Sequence, residues 1–173
     1  MTQVSPPLTA IDRVHEANST FAQHFELSDL SAPPVRRLAV LTCMDARLHP
    51  GQFLGLQAGD AHVITNAGGR ASDDAIRSLL VSSRVLGARE VMVIHHTDCG
   101  MNKYTDDGLR EKFRDEHGVD TSTVGDFLCF SDLYDSVRDD VRRLRESALL
   151  EDSLDVRGFV YDVRSGWLEP VEV

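Results

Sequence analysis

Basic residues and long apolar runs are both scarce in this sequence. Lys and Arg total 18 against 28 Asp and Glu, so the formal net charge is -10. A field of that sign repels phosphate backbones and anionic lipid, which argues against nucleic acid and membrane partners. No stretch approaches the roughly 18 uninterrupted apolar residues of a membrane span. Asp12 and Arg13 interrupt the N-terminus where a signal peptide needs an apolar region. We therefore expect a soluble, cytoplasmic protein.

Cysteine is also scarce, with three in 173 residues. An odd count argues against a disulfide framework, because a chain of this length buries a sufficient core without covalent cross-links. In a reducing compartment, metal binding or thiol chemistry is the more common use of such residues. With 42% hydrophobic residues, we expect a single domain over residues 1–173, with residues 1–34 as an N-terminal helical arm.

Apolar periodicity predicts an alternation of helices and strands. Residues 9–25 place apolar side chains at three- and four-residue steps, which indicates an amphipathic helix. Three short apolar runs are typical of strands buried on both faces. These runs span residues 36–43, 61–69 and 89–96. A helix capped by Ser72 or Asp73 and closed by Gly87 separates the last two runs. The order strand, helix, strand predicts an α/β fold with a parallel sheet.

The C-terminal half is predicted to add two helices and a β-hairpin. Residues 101–130 are polar and interrupted by glycine, so we expect irregular structure with a short helix near 107–116. A longer amphipathic helix follows this segment. Residues 156–163 and 167–173 flank an Arg-Ser-Gly turn, which predicts a hairpin at the sheet edge, where Pro170 is tolerated.

Thiol and imidazole groups follow the ends of two predicted strands. Cys43 ends the first strand, while His96 and Cys99 follow the third. Working groups of open parallel sheets gather at the carboxyl ends of strands, so these side chains meet if the two strands are neighbours. Two thiolates and one imidazole suit Zn²⁺ and leave a position for water, whose pKa the metal lowers towards ~7. Strand alternation places His95 on the opposite face, and Asp98 is expected only to form the turn.

Two further groups lie near these predicted ligands. Asp45 and Arg47 follow the first strand. A carboxylate there can accept a proton from water or bind the metal, while a guanidinium can hold it ionised and away from the metal. Asn66, Gly68 and Gly69 end the second strand, where glycine lets a small ligand approach the backbone and an amide can orient it. We predict a gate in the first pair and a substrate-binding turn in the second group.

Each feature has a simpler structural explanation when it is taken alone. A cysteine at the end of an apolar strand is more often a core residue than a ligand. An aspartate near an arginine most often forms a structural salt bridge, and two glycines most often form a turn. Cys129, between Leu128 and Phe130, is expected to be a core residue. The prediction of a site depends on several features that fall at the same sheet edge.

The strand ends carry motifs that resemble those of a known family. The motifs are C-M-D-A-R at 43–47, N-A-G-G at 66–69 and H-T-D-C-G-M at 96–101. At these intervals, and with S-D-D-A-I-R-S-L at 72–79, they resemble the short prokaryotic branch of the β-class carbonic anhydrases. The resemblance runs over about residues 36–163. The chain departs from the family pattern at three positions. Ala46 stands where serine is common, and Thr65 stands where many members carry arginine. Some branches have a bicarbonate pocket with a tryptophan upstream of the first ligand, whereas the only tryptophan here is Trp167.

The resemblance implies a zinc enzyme that hydrates carbon dioxide reversibly to bicarbonate and a proton through zinc-bound hydroxide. It implies that Cys43, His96 and Cys99 bind Zn²⁺. Asp45 paired with Arg47 would form a gating and proton-accepting dyad, with Asp45 as a fourth ligand in a closed state. The implied fold is a four-stranded parallel sheet with an added antiparallel strand and flanking helices. The N-terminal helix would pack on a partner subunit in a homodimer or a dimer of dimers.

Two other functions fit the same motifs. Close relatives in the short branch hydrolyse carbonyl sulfide or carbon disulfide, which are linear neutral molecules open to attack by the same hydroxide. The width and polarity of the pocket separate these substrates from carbon dioxide. A different class of protein results if Cys129 closes the site as a fourth ligand, because a Cys3His set is a structural zinc site without catalytic function.

Overall fold

The computed structural model describes residues 8–173, which form two compact units. The N-terminal unit ends at Leu30, and the main unit spans Ser31–Val173. The first seven residues of the predicted 1–34 arm lie outside the described residues. Among the residues that the structure describes, no helix is both long and apolar enough to cross a bilayer.

The N-terminal unit contains one amphipathic helix, α1 (Ala10–Ala22). Thr9 caps it: the Thr9 hydroxyl accepts a hydrogen bond from the Asp12 N–H, and the Asp12 carboxylate accepts one from the Thr9 N–H. This capping box satisfies N–H groups that the start of a helix leaves unpaired. The helix predicted over 9–25 is confirmed, although it ends at Ala22. None of the residues of α1 is buried.

The main unit is built on one five-stranded sheet in the order β2-β1-β3-β4-β5. The strands are β1 (Leu38–Cys43), β2 (Ala61–Asn66), β3 (Glu90–His96), β4 (Asp155–Tyr161) and β5 (Leu168–Val171). The first four are parallel, and β5 runs antiparallel to β4 at the edge. This order confirms the predicted sheet, including the C-terminal hairpin, and it places β1 beside β3 as the predicted metal site requires.

Four helices connect the strands of the main unit. They are α2 (Pro50–Phe53), α3 (Asp73–Arg84), α4 (Asp106–His117) and α5 (Leu133–Arg145). Short 3-10 turns span Ala67–Gly69 and Gly100–Lys103. Ser72 caps α3 by accepting a hydrogen bond from the Ala75 N–H, as one of the two predicted caps. The α/β fold and the helix predicted near 107–116 are thus confirmed.

The main core lies where α3 and α5 pack against the sheet. Alternate residues of β1 and β3, such as Leu41 and Val93, belong to the same buried cluster as Leu79 of α3 and Val141 of α5. At Gly158 of β4 the packing is so close that a Cβ atom would overlap the Val137 side chain. The helices therefore hold the strands rigidly and present the carboxyl ends of β1 and β3 at one edge of the core.

Candidate metal centre

Cys43, His96 and Cys99 converge at the carboxyl ends of β1 and β3. Their ligand atoms all lie within 4.8 Å of one another, and all three residues are buried. Cys43 is the last residue of β1 and His96 the last of β3, while Cys99 lies in the turn that follows. The structure therefore brings together the three predicted ligands, and Cys2His is a donor set that suits Zn²⁺.

The His96 imidazole is arranged as a metal ligand. Its Nδ1 lies 2.9 Å from the Thr97 carbonyl oxygen. A carbonyl only accepts hydrogen bonds, so Nδ1 carries the proton and Nε2 the lone pair. Nε2 is buried and has no hydrogen-bond partner among the described residues. A buried nitrogen left in this way is costly, whereas a metal ion would satisfy it, and metal-bound histidines commonly have the second ring nitrogen fixed by a backbone carbonyl. The residues present therefore fit zinc.

The pKa values of the two cysteines also affect binding of a cation. The Cys99 thiol is the largest of several interactions that together outweigh burial and lower the pKa of Cys43 to about 4, and the N–H groups of Asp45 and Gly68 are among them. The same interaction with Cys43 raises the pKa of Cys99 above its usual range. The two opposite shifts favour a thiolate at Cys43 and a thiol at Cys99. Zinc binding would release the remaining proton, because thiolates are the form that binds metal.

Asp45 and Arg47 form an ion pair beside these ligands. Arg47 Nε and Nη2 lie 2.9 and 2.8 Å from the two carboxylate oxygens of Asp45, and the Arg47 N–H donates a third hydrogen bond at 2.9 Å. Asp45 Oδ2 lies 3.9 Å from His96 Nε2. The hydrogen bonds from Arg47 hold the pKa of Asp45 well below its usual range. The two predicted residues therefore form a bidentate pair, with an ionised carboxylate close to the ligand set.

The comparisons with known proteins agree with this geometry. The sequence model of the family described as "Carbonic anhydrase" matches residues 38–124. Beta-carbonic anhydrase 1 of Mycobacterium tuberculosis is 39% identical over 164 residues, which cover 95% of this chain and 99% of that protein. The chain belongs to the β-carbonic anhydrase family. It is therefore a member of a family of zinc lyases.

Solved structures of β-carbonic anhydrases share the fold of this chain. A carbonic anhydrase from Streptococcus mutans has a TM-score of 0.90 and 39% sequence identity, with 96% of this chain and 100% of that chain covered. The family also includes relatives with another name. A carbon disulfide hydrolase from Acidianus sp. is 34% identical over 155 residues, which cover 77% of this chain and 76% of that protein.

Asp98, for which the sequence predicts only a role in the turn, contacts Arg47 beside the three predicted ligands. Its carboxylate accepts a hydrogen bond from Arg47 Nη1 at 2.9 Å and forms a salt bridge with Lys103 Nζ at 3.0 Å. Arg47 therefore binds two carboxylates at once, those of Asp45 and Asp98. The residues Arg47 and Asp98 are 51 positions apart, so no local pattern in the sequence indicates this pair.

The turn after β2 packs directly behind Cys43. The Asn66 side chain is used locally, because its Oδ1 accepts from the Arg70 N–H and its Nδ2 donates to the Arg70 carbonyl, both at 2.7 Å. Gly69 has a φ of +70°, and a Cβ there would lie 2.8 Å from the Cys43 nitrogen. The turn thus supports the backbone of Cys43, one of the three predicted metal ligands. That Asn66, Gly68 and Gly69 bind substrate stays a prediction.

Cys129 lies apart from this centre, since the ligand group contains only the other two cysteines. It is half-buried rather than a core residue as expected. The Cys129 N–H donates to the Asp106 carboxylate at 2.8 Å, which holds the residue in a loop against α4. Burial and the nearby Asp106 carboxylate raise the pKa of the Cys129 thiol to about 11. A thiol of this kind is a poor source of a thiolate ligand.

His95 lies on the face of the sheet opposite His96, as predicted, and is fully buried. The sequence predicts only a strand residue at this position, but the His95 ring nitrogens also form polar contacts with Ser136 and Asp140 of α5. One residue in the sequence could have indicated these contacts: Asp140 is an acidic residue within the apolar stripe of α5. The stripe contains Leu133, Val137, Val141 and Leu144.

Proposed function

We propose that this protein catalyses the reversible reaction CO2 + H2O ⇌ HCO3⁻ + H⁺ at a zinc ion held by Cys43, His96 and Cys99. The observation that carries the proposal is the position of Asp45. Its ionised carboxylate, paired with Arg47, lies 3.9 Å from His96 Nε2, the nitrogen that is available to a metal. Three protein ligands with a polar group beside them are typical of catalytic zinc sites, whereas structural sites use four protein ligands.

The residues around the zinc ligands provide the rest of the reaction. When bound, zinc makes a hydroxide nucleophile available near neutral pH by lowering the pKa of water. Asp45 Oδ2 accepts a hydrogen bond from the attacking water and takes up the proton that hydration releases. Arg47 keeps Asp45 ionised and therefore able to accept this hydrogen bond, and the proton then passes on to solvent. The backbone at Gly68 and Gly69, with Asn66 behind it, is proposed to line the space for carbon dioxide.

Arg47 and Asp98 determine which arrangement Asp45 adopts in this proposal. In the arrangement described here, Arg47 binds Asp45 and is itself held by Asp98. In a closed arrangement, Asp45 would leave Arg47 and would hold the zinc together with the three other residues, which would exclude water. The ion pairs among the three residues therefore stabilise the active arrangement.

Hydrolysis of carbonyl sulfide or carbon disulfide is a second candidate, supported by the relatives named carbon disulfide hydrolase. The Streptococcus mutans carbonic anhydrase matches this chain more fully, with a TM-score of 0.90 against 0.69 for the solved carbon disulfide hydrolase. Turnover of carbon dioxide and of carbonyl sulfide by the same zinc-loaded preparation separates the two. We expect carbon dioxide hydration to be the faster reaction. Negligible hydration with rapid sulfide release would overturn this choice of substrate.

A structural zinc site closed by Cys129 is tested by Cys129→Ser. We expect this variant to retain the zinc content and the hydration rate of the wild type, because Cys129 lies outside the ligand group. Loss of zinc from the folded variant would support the structural site instead. Cys43→Ser is the matched change, and it should lose zinc.

We also propose that the protein assembles as a homodimer or a dimer of dimers through α1. The apolar stripe of this helix is exposed in the single chain: Ile11 is 77% exposed, Val14 67% and Phe21 57%. Exposed apolar patches of this kind commonly mark protein interfaces.

A further inference from the structure

A buried polar network lies on the far side of the sheet from the zinc ligands. Asp140 of α5 is at its centre, with 2% of its surface exposed. Arg70 Nε and Nη2 donate to the two Asp140 carboxylate oxygens at 2.8 and 3.1 Å. His95 Nε2 lies 3.1 Å from the same carboxylate, and His95 Nδ1 lies 2.8 Å from the Ser136 hydroxyl oxygen. Charged groups at this depth are rare unless they are paired, so their placement calls for an explanation.

Two members of this network adjoin segments that carry the ligands. His95 precedes the ligand His96 at the end of β3. Arg70 follows Gly69, whose backbone packs against that of Cys43, and the Asn66 side chain fixes the Arg70 backbone on both sides. Asp140 therefore connects the end of β3 with the turn that supports Cys43.

Phe130 connects this network with the third ligand, Cys99. The Arg70 guanidinium lies over the Phe130 ring at 5.4 Å, and the His95 ring stacks on it with 5.7 Å between centroids. Phe130 belongs to a small buried cluster together with Cys43, Leu48 and Cys99. Its N–H donates to the carbonyl of Met101, which lies two residues after Cys99. Arg70 also donates to the Leu128 carbonyl at 3.0 Å, so it holds the backbone that leads to this ring.

We propose that Asp140, Arg70 and His95 are positioning residues of the metal centre, which hold its three ligand-bearing segments in register through Phe130. The inference deepens the proposed function, since it rests on zinc binding by Cys43, His96 and Cys99. Phe130 supplies an apolar wall behind the thiolates, and an apolar shell controls the access of solvent to a metal site. A salt bridge that served only stability would gain little here, because replacing a buried ion pair by apolar residues is often neutral or stabilising.

The test removes both charges together. Arg70→Met with Asp140→Leu avoids an unpaired buried charge, which single changes would leave. The matched control is Arg143→Met with Asp73→Asn, which removes the exposed pair that joins α5 to α3 at 2.7 Å. Zinc affinity is measured by competition with a chromophoric chelator, and the absorption bands of bound Co²⁺ report the ligand geometry. Circular dichroism and thermal melting establish that each variant is folded.

We expect the Arg70/Asp140 variant to bind zinc roughly tenfold or more weakly, in the range found for changes around metal ligands. Its Co²⁺ bands should shift, while the control keeps wild-type affinity and spectrum. In a Phe130→Leu background the same double change should add little, because groups that act through one residue are not additive.

Two results would overturn the inference: wild-type zinc affinity in the folded Arg70/Asp140 variant, or a full and additive loss in the Phe130→Leu background. If the Arg70/Asp140 variant does not fold, the single variant Phe130→Leu tests the inference instead. Wild-type zinc affinity and wild-type Co²⁺ bands in Phe130→Leu would contradict a positioning role for the ring. Absence of zinc binding by the wild type is a different outcome, since it would overturn the proposed function itself.

Discussion

Gly69 is a position in the metal centre that does not tolerate a side chain. Its φ is +70°, and a Cβ would lie 2.8 Å from the Cys43 nitrogen and 3.1 Å from the Ile94 carbonyl oxygen. We expect Gly69→Ala to displace the backbone of the first ligand and to weaken zinc binding by roughly tenfold. Chelator competition measures the affinity, and urea unfolding should show a loss of about 1–3 kcal/mol from overpacking.

Gly87→Ala is the control for this change. Gly87 has a φ of +80°, but a Cβ there meets nothing within 4 Å. Both variants carry the strain of a left-handed residue, and only Gly69→Ala pushes on a ligand. Equal zinc affinities for the two variants would show that the close approach of the turn to Cys43 has no role in metal binding.

The cluster of Cys43, His96 and Cys99 could be predicted from the sequence because each residue lies at or just after the end of a recognisable strand. Cys43 ends one apolar run and His96 another, so the topology alone places them together. The second carboxylate of Arg47, on Asp98, could not be predicted in this way. That ion pair depends on the angle at which the turn after β3 returns, which no periodicity records. Strand alternation predicts the correct face for His95, but its partners lie on a helix more than 40 residues away.

At the scale of elements, the start of α4 holds the loop that leads to Phe130. The Asp106 carboxylate accepts hydrogen bonds from the N–H groups of Phe127, Leu128 and Cys129. Burial raises the pKa of Asp106, but the bonds from the Cys129 and Phe127 N–H groups outweigh it and lower the pKa below its ordinary value. These hydrogen bonds therefore stabilise the loop more strongly when Asp106 is ionised than when it is protonated.

This contribution predicts a pH-dependent difference between wild type and Asp106→Asn. Because the folded-state pKa is lowered, the stabilisation is complete above the unfolded value of about 3.9 and is lost as the pH falls through the folded value. Urea unfolding should show the wild type as more stable at pH 7, with the difference shrinking below about pH 4. Asp107→Asn is the control, since Asp107 accepts none of these three hydrogen bonds. A difference that is constant with pH would contradict this assignment.

The contact between α5 and β4 is set by Gly158. A Cβ there would overlap Val137, which is fully buried. Gly158→Ala should destabilise the fold by about 1–3 kcal/mol, because the helix must move away from the sheet. Adding Val137→Ala makes room for the new methyl group, so the double variant should be less destabilised than the sum of the two single changes. Strict additivity of the three unfolding free energies would rule out this contact as the cause.

The long helices and the strands could be predicted because their apolar residues form either a stripe with a helical period or a short unbroken run. The stripes of α3 and α5 and the unbroken apolar runs of β1 and β3 are of this kind. The helix α2 and the 3-10 turns were missed, since a single turn is too short to show a period. Their conformation follows from the tertiary contacts at the strand ends.

At the scale of the whole molecule, α1 is the element whose apolar stripe is left uncovered in the single chain. If a second copy covers it, Phe21→Asp should convert the assembly to monomers, because a charge cannot be buried unpaired in an apolar interface. Light scattering after size exclusion measures the mass. Val85→Asp is the control, as Val85 is 73% exposed but lies outside α1. A monomeric wild type, or an unchanged mass for Phe21→Asp, would contradict assembly through this helix.

The most direct test of the central claim is zinc content measured together with the rate of carbon dioxide hydration, for wild type, Cys43→Ser and Asp45→Asn. We expect the wild type to hold one zinc per chain and to hydrate carbon dioxide, and Cys43→Ser to lose both. Asp45→Asn should keep its zinc and lose roughly a hundredfold in rate, the usual contribution of a proton-transfer group. A wild type that binds zinc without hydrating carbon dioxide, or an Asp45→Asn variant at full rate, would contradict the account.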